Sequence, residues 1–221
     1  MKRTIIIVIE GIDGSGKTVQ FNMLKEKLIA MGKSVATRSF PRYGSYFGEQ
    51  IGRYLSGNGA VPATEVDNKS MALWFALDRW ESFSDYRDGE TDYLLINRYV
   101  MSNAVYQSIR DGDSDISDWV IDLEFNHFKL PRPDVTLFFS VATKWASDNV
   151  LKKERRDYVE EAKDVYEASP GIQSRARELY LKCARRYGGI SVIECMGESG
   201  MLGVEEISQK VTEELERLGL L

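Results

Sequence analysis

The chain has 221 residues, of which 43% are hydrophobic, so it can bury a full core and suits a single domain. Its formal net charge of −5 argues against a broad face for binding a nucleic acid polymer, although a small basic pocket remains compatible with it. A membrane span and a signal peptide are not expected, because no apolar run approaches about 18 residues and the first one ends at Glu10. We expect a cytoplasmic protein in which Cys183 and Cys195 are reduced thiols, with a disulfide as the alternative.

Short apolar runs rich in β-branched residues predict five strands, at 4–9, 34–37, 93–97, 135–141 and 190–194. Longer stretches with helical periodicity lie between and after them, including 19–32, 68–83, 118–128 and 204–219. Near-continuous apolar strands that alternate with helices are typical of a parallel sheet covered on both faces. The pattern therefore predicts an α/β fold with a five-stranded parallel sheet.

A glycine-rich stretch separates the first predicted strand from the first predicted helix. Residues 11–18 read GIDGSGKT and fit the phosphate-loop pattern G-x-x-x-x-G-K-[ST]. The glycines let backbone N–H groups point at phosphate oxygens, and the helix places its positive dipole end under the anion. In this pattern Lys17 reaches the β- and γ-phosphates of ATP, and the Thr18 hydroxyl ligates Mg²⁺. The predicted ATP-binding residues are Gly11, Ile12, Asp13, Gly14, Ser15, Gly16, Lys17 and Thr18.

The rest of the chain favours a small-molecule kinase over other phosphate-loop proteins. A GTPase would need the guanine-reading pattern N-K-x-D, and DNKS at 67–70 fails at its last position. Motors and transporter ATPases are usually larger. Two phosphate chains meet in a kinase site, so several arginines must offset their charge. The candidates are Arg42, Arg79, Arg98, Arg155 and Arg156.

From about residue 4 to about residue 218, the chain resembles the thymidylate kinases. The resemblance rests on the order and spacing of GIDGSGKT, FPRYGS (40–45), ALWFALDRWE (72–81), NRYVMSNAVYQ (97–107), LPRPDVTLFF (130–139) and DVYE (164–167). It implies a P-loop nucleoside monophosphate kinase fold, with one domain over 1–221 and a short lid at about 152–163. It also implies transfer of a phosphoryl group from ATP to dTMP, with Mg²⁺ as cofactor, in a homodimer.

The resemblance implies a binding site for the acceptor nucleotide. Phe75 and Arg79 lie four residues apart on one helix face, where they would stack on thymine and reach its O4 edge. Asn103 would hydrogen-bond the pyrimidine, and Tyr106 would crowd the 2′ position and so disfavour ribonucleotides. Asp13 would help to hold the sugar and the metal region. The other implied acceptor-side residues are Phe40, Arg42, Tyr43, Arg98, Ser102, Tyr166 and Glu167.

Catalytic positive charge is expected from the phosphate loop, from the end of the third strand and from the lid. Lys17 would act on the donor, and Arg98 would bridge the donor and acceptor phosphates. Some members of the family carry an arginine in the phosphate loop where this chain has Gly14. That charge must then come from elsewhere, and the basic run Lys152, Lys153, Arg155 and Arg156 offers it, an arrangement that resembles the bacterial type.

Asn97 departs from the family pattern, which usually has aspartate before the arginine at this point. An amide keeps one acceptor oxygen but loses the charge, so the hold on Mg²⁺ is expected to weaken; we include Asn97 among the catalytic candidates. Two alternatives stay open: a related deoxynucleotide or nucleoside kinase, and a nucleotide-binding module without catalysis. Arg42 and Tyr43 argue for a phosphorylated acceptor, and Asn97 is the best support for the non-catalytic module.

Overall fold

A computed structural model describes residues 3–56, 63–110, 115–154 and 170–221 of the chain. Its main feature is one parallel sheet with the strand order β2-β3-β1-β4-β5. The strands are β1 (Ile5–Gly11), β2 (Val35–Ser39), β3 (Tyr93–Asn97), β4 (Val135–Ser140) and β5 (Ile190–Glu194). Each lies within two residues of a predicted run, so the predicted sheet is confirmed.

Eight α-helices accompany the sheet in the described part of the chain. They are α1 (Lys17–Ala30), α2 (Tyr46–Leu55), α3 (Asn68–Ser82), α4 (Val100–Ser108), α5 (Ser117–Asp122), α6 (Thr143–Glu154), α7 (Pro170–Arg186) and α8 (Val204–Arg217). Among the described residues, none of these helices is long and apolar enough to cross a membrane. A small antiparallel pair, β6 (Met196–Gly197) and β7 (Gly200–Met201), was not predicted.

The helical stretch predicted at 118–128 changes its geometry partway along. A π-helical turn, Leu123–His127, follows α5 directly. The Phe128 N–H donates to the Leu123 carbonyl oxygen over 2.9 Å, which is the five-residue spacing of a π-turn. Hydrophobic periodicity cannot reveal such a turn, because it adds one residue without interrupting the helix.

The core covers both faces of the sheet, as the near-continuous apolar strands predict. On β1, Ile7 and Ile9 belong to a buried cluster that includes Leu24 of α1 and Val211 of α8. The intervening residues Ile6 and Val8 belong to a second cluster, with Val100 of α4 and Val120 of α5. Strand β1 is therefore buried on both sides.

The carboxyl ends of β1 and β3 lie side by side. Ile9 of β1 pairs with Asn97 of β3, and the Arg98 N–H donates to the Ile9 carbonyl oxygen over 3.0 Å. Open α/β sheets bind ligands in the crevice outside the carboxyl ends of their strands. The topology thus brings residues 11–18 and residues 97–107 to one edge of the sheet.

The two thiols give a test of this packing. Cys183 and Cys195 are free and buried, as predicted, and burial raises the pKa of these thiols to about 11 and about 12. Because the thiolate is the reactive form, the native protein at pH 8 should react slowly with a disulfide reagent such as DTNB. In guanidinium chloride, both thiols should react at once. Rapid reaction of two thiols in the native protein would contradict the packing described.

Candidate active site

The phosphate loop has the backbone that its glycines predict. Gly14 and Gly16 have φ angles of 77° and 85°, in the left-handed region that favours glycine. A Cβ atom on Gly14 would lie 2.0 Å from the Ala146 carbonyl oxygen, so no larger residue fits there. Helix α1 begins at Lys17 with no acidic residue in its first turn and no capping side chain from the described residues. Its first N–H groups and positive dipole end are therefore available to phosphate.

Lys17 is held inside this loop. Only 7% of the residue is exposed, and its Nζ donates to the Ile12 carbonyl oxygen over 2.7 Å. The same Nζ lies 3.9 Å from the Asp13 carboxylate. Thr18 is exposed on the first turn of α1. The roles of Lys17 towards ATP and of Thr18 towards Mg²⁺ stay predictions.

An ion pair joins the phosphate loop to the turn after β3. Arg98 has a φ of 60°, which is uncommon for a residue with a side chain, and its guanidinium contacts the Asp13 carboxylate. Burial raises the pKa of Asp13, but the charges of Arg98 and Lys17 outweigh burial and keep this pKa below its ordinary value. Asp13 therefore stays ionised and holds two cations beside the loop.

Two further side chains complete the surroundings of Asp13. The Gln173 amide on α7 donates to the Asp13 carboxylate over 2.9 Å. The Tyr106 hydroxyl lies 3.2 Å from Gln173 Oε1 and 3.5 Å from Asp13 Oδ2. The Arg98 guanidinium carbon lies 5.6 Å from the centroid of the Tyr106 ring. Gln173 is missing from the sequence prediction, and no motif points to it.

A cavity opens beside this cluster, and nine of the predicted acceptor-side residues line it. They are Asp13, Phe40, Tyr43, Phe75, Arg79, Arg98, Ser102, Asn103 and Tyr106. Three lining residues were not predicted: Pro41, Leu55 and Gln107. The cavity thus joins the phosphate-loop residue Asp13 to the residues that the resemblance assigns to the base.

In another part of the cavity wall, a buried carboxylate holds two predicted residues. Arg79 is 2% exposed, and its Nε and Nη2 donate to the two oxygens of Glu124 over 2.5 and 2.6 Å. The Asn103 amide nitrogen donates to Glu124 over 2.9 Å and to the Ala72 carbonyl oxygen over 3.0 Å. Glu124 is fully buried and was not predicted. An acid inside an apolar helical stretch is the signal that could have found it.

A second buried carboxylate fixes the start of α4. Glu10 accepts from the Tyr99 N–H over 2.7 Å, from the Ser102 N–H over 3.1 Å, from the Ser102 hydroxyl over 2.5 Å and from the Tyr180 hydroxyl over 2.9 Å. Ser102 lines the cavity, but both its N–H and its hydroxyl are committed to Glu10. Glu10 was not predicted either, although an acid at the end of an apolar strand is unusual.

Arg42 does not line the cavity in the described part of the chain. Its guanidinium pairs with Asp78 over 3.0 Å and with Glu81 over 2.6 Å, and both acids belong to α3. Tyr43, the next residue, lines the cavity and is 54% exposed. A role for Arg42 at the acceptor phosphate stays a prediction.

Asn97 lies at the carboxyl end of β3, as predicted. Its amide nitrogen donates to the Ser39 hydroxyl over 3.0 Å, whereas its oxygen Oδ1 is buried and has no hydrogen-bond partner among the described residues. Its neighbour Arg98 pairs with Asp13. The charged partner of Arg98 is therefore the phosphate-loop residue Asp13.

The predicted lid lies mostly outside the described residues. Arg155, Arg156, Tyr166 and Glu167 all fall there, and the backbone of α6 is described up to Glu154. Earlier on α6, the Asn149 amide donates to the Gly14 carbonyl oxygen over 3.0 Å. The helix that leads into the predicted lid thus contacts the phosphate loop.

Comparison with known proteins identifies the family. The family model described as thymidylate kinase matches residues 9–195. The thymidylate kinase of Mycobacterium tuberculosis is 33% identical over 192 residues, which cover 84% of this chain and 88% of the relative. A relative from Methanocaldococcus jannaschii is 32% identical over 170 residues, which cover 75% of this chain and 81% of the relative.

A solved structure has the same fold. The thymidylate kinase of Candida albicans superposes with a TM-score of 0.71 at 21% identity, covering 97% of this chain and 92% of that one. Relatives come from archaea as well as bacteria, so the bacterial-type arrangement stays a prediction. Members of this family use ATP as phosphoryl donor. The family model and the M. tuberculosis relative together show that the chain belongs to the thymidylate kinase family.

Proposed function

We propose that the chain phosphorylates dTMP to dTDP with ATP and Mg²⁺. The observation that carries this proposal is the contact between Asp13 and Arg98, because Asp13 belongs to the phosphate loop and both residues line the cavity. A donor phosphate on the loop and an acceptor phosphate near Arg98 would then face each other, as in-line phosphoryl transfer requires. Membership of the thymidylate kinase family supports dTMP as the acceptor.

The different chemistry of the two ends of the cavity suggests how the acceptor nucleotide is oriented in it. Arg98 and Asp13 form the charged end beside the phosphate loop, whereas Arg79 and Asn103 form a polar end next to the half-buried Phe75. We place the 5′-phosphate of dTMP at the charged end and its thymine at the other. Phe75 would stack on the base, because an aromatic face suits a planar ring.

Charge near the loop suits stabilisation of the transferring phosphoryl group. Lys17 and Arg98 share the single carboxylate of Asp13, so the cluster keeps a net positive charge. Catalysis would consist of positioning and electrostatic stabilisation, with no covalent intermediate. We propose that Arg155 and Arg156 add further charge when a lid at about 152–163 closes and excludes water.

The residues beside the loop fit Mg²⁺. This hard cation takes oxygen ligands, usually keeps several waters, and uses few protein groups besides phosphates. Thr18 offers an exposed hydroxyl, and Asn97 offers a buried oxygen with no partner in the described part of the chain. Asp13, predicted as a second metal residue, faces two cations and is the weaker candidate. Thr18 and Asn97 would help to hold Mg²⁺, which would supply positive charge to offset the charge that develops on the phosphates.

The family supports two further proposals, a homodimer and a single kinase domain over residues 1–221. The buried thiols of Cys183 and Cys195 fit a reducing compartment, and we propose the cytoplasm on that ground. The alternatives, a related deoxynucleotide or nucleoside kinase and a module that binds nucleotides without catalysis, are outcomes of the assay that follows.

ADP release in the presence of a panel of acceptors tests the proposed function. The panel contains dTMP, dUMP, dCMP, dGMP and thymidine, and ATP without acceptor gives the hydrolysis background. We expect kcat/KM for dTMP to exceed that for dCMP by about a hundredfold or more, because the wrong base edge leaves buried polar groups unpaired. Transfer to thymidine would indicate a nucleoside kinase, and no transfer to any acceptor would indicate a binding module.

Lys17→Ala tests the donor site. Removing a charge that follows the transferring phosphoryl group should lower kcat by about a thousandfold, or about 4 kcal/mol of barrier. Lys27→Ala is the matched control, because Lys27 is an exposed residue of the same helix and its Nζ donates to the Thr212 hydroxyl. Single-turnover rates should show a defect in Lys17→Ala alone. Near-normal turnover in that variant would contradict the assignment of the phosphate loop.

Asn97→Asp tests the departure from the family pattern. The natural chain should be active but slow, and the variant should raise kcat about tenfold, which corresponds to about 1.4 kcal/mol. The added charge would lie where Oδ1 now has no partner, so the Mg²⁺ concentration for half-maximal rate should also fall. Asn22→Asp adds the same charge at an exposed position of α1 and serves as the control. Unchanged rate and Mg²⁺ dependence in Asn97→Asp would make the position purely structural.

A further inference from the structure

Two polar side chains at the far end of the cavity each keep one hydrogen-bonding atom unused. Asn103 is 3% exposed, and its oxygen Oδ1 is buried with no partner among the described residues. Arg79 uses Nε and Nη2 on Glu124, and its Nη1 makes no hydrogen bond within the described part of the chain. A buried acceptor without a hydrogen bond is costly in free energy unless a ligand donates to it. This end of the cavity therefore suits a ligand that has a polar edge.

The direction of the Asn103 amide is fixed by its neighbours. Its nitrogen lies between a Glu124 oxygen, at 2.9 Å, and the Ala72 carbonyl oxygen, at 3.0 Å. A carboxylate and a carbonyl only accept hydrogen bonds, so the NH₂ group must face them. The amide oxygen is then turned away from these two acceptors and is left as an unused acceptor on a residue that lines the cavity.

The same carboxylate also sets Arg79. Glu124 binds Nε and Nη2 in a bidentate pair, which fixes the plane of the guanidinium and leaves Nη1 as a donor. One oxygen, Oε1, accepts from both Arg79 and Asn103. The relative position of the free donor and the free acceptor therefore depends on a single buried group.

A donor beside an acceptor matches one pyrimidine edge and mismatches the other. Thymine presents O4 as an acceptor and N3–H as a donor, whereas cytosine presents an amino donor at C4 and an acceptor at N3. Arg79 Nη1 can donate to O4 while Asn103 Oδ1 accepts from N3–H. With cytosine, donor would meet donor and acceptor would meet acceptor.

We propose that Glu124 is a specificity-positioning residue, which holds Arg79 and Asn103 as a donor–acceptor pair that accepts thymine and rejects cytosine. This inference rests on the proposed function, because it concerns the base of the acceptor nucleotide. Glu124 lies in the π-helical turn Leu123–His127, a rare geometry that is frequent at functional sites. The Leu130 N–H donates to the Glu124 carbonyl oxygen over 3.0 Å, which fixes the residue's backbone as well.

Glu124→Gln is the variant that tests this role. Glutamine keeps the size of the side chain, but its NH₂ group must face an N–H donor of Arg79 or Asn103 in either orientation. We expect kcat/KM for dTMP to fall about thirtyfold or more, while kcat/KM for dCMP changes about threefold or less. The ratio of the two should therefore fall by about tenfold or more, with the KM for ATP unchanged.

Glu10→Gln is the matched control. Glu10 is equally buried and accepts four hydrogen bonds, but it contacts neither Arg79 nor Asn103. This variant should lower the melting temperature and should reduce activity towards dTMP and dCMP in proportion. A general loss of packing would thus leave the dTMP/dCMP ratio unchanged, whereas loss of the donor–acceptor pair lowers it.

The outcomes separate the inference from the proposed function. If Glu124→Gln phosphorylates dTMP with the ratio of the natural chain, the inference is wrong and the proposed function stands. If the natural chain does not act on dTMP, the proposed function itself is wrong. If Glu124→Gln fails to fold, Asn103→Ala is the variant to measure. It removes the hydrogen-bond acceptor Oδ1 of Asn103 and leaves the Arg79–Glu124 pair in place. An unchanged ratio in Asn103→Ala would overturn the inference as well.

Discussion

The ion pair between Asp13 and Arg98 is the contact on which the rest of the site depends, because it joins the phosphate loop to the turn after β3. Lys17 shares the same carboxylate, so one negative charge positions two cations. A buried carboxylate left without these partners would be strongly destabilising. Since the pKa of Asp13 is lowered in the folded state, its ionisation stabilises the fold at neutral pH, and this contribution is lost only as the pH falls through the lowered value.

Three carboxylates hold different parts of the site; Glu10 and Glu124 are fully buried, and the side chain of Asp13 is 14% exposed. Glu10 ties the start of α4 to the end of β1 and to Tyr180 of α7. Asp13 then fixes Arg98 at the charged end of the cavity, and Glu124 fixes the polar end. Because each acid is satisfied by several donors, the side chains that face the cavity are held before any ligand binds. Such preorganisation lowers the cost of binding and aligns groups for transfer.

The sequence predicts the sheet, the phosphate loop and most of the cavity, because each of these depends on local pattern or on a family motif. It does not reveal Glu124, since Arg79 and Glu124 are 45 residues apart and only the packing of α3 against the π-turn brings them together. Tertiary contacts also explain why the prediction for Ser102 was incomplete. The motif assigns Ser102 to substrate binding, but its hydroxyl donates to Glu10. The ion pairs of Arg42 with α3 likewise depend on tertiary contacts that no short motif contains.

A crystal structure with dTMP, Mg²⁺ and a non-hydrolysable ATP analogue tests the central claim most directly, namely that this cavity is the acceptor site and that its charged end faces the donor. We expect thymine against Phe75, with O4 within hydrogen-bond distance of Arg79 Nη1. The 5′-phosphate should lie beside Arg98, opposite the terminal phosphate on residues 11–18. A nucleotide bound with its base near Arg98, or outside the cavity altogether, would show that this cavity does not bind the acceptor in the proposed direction.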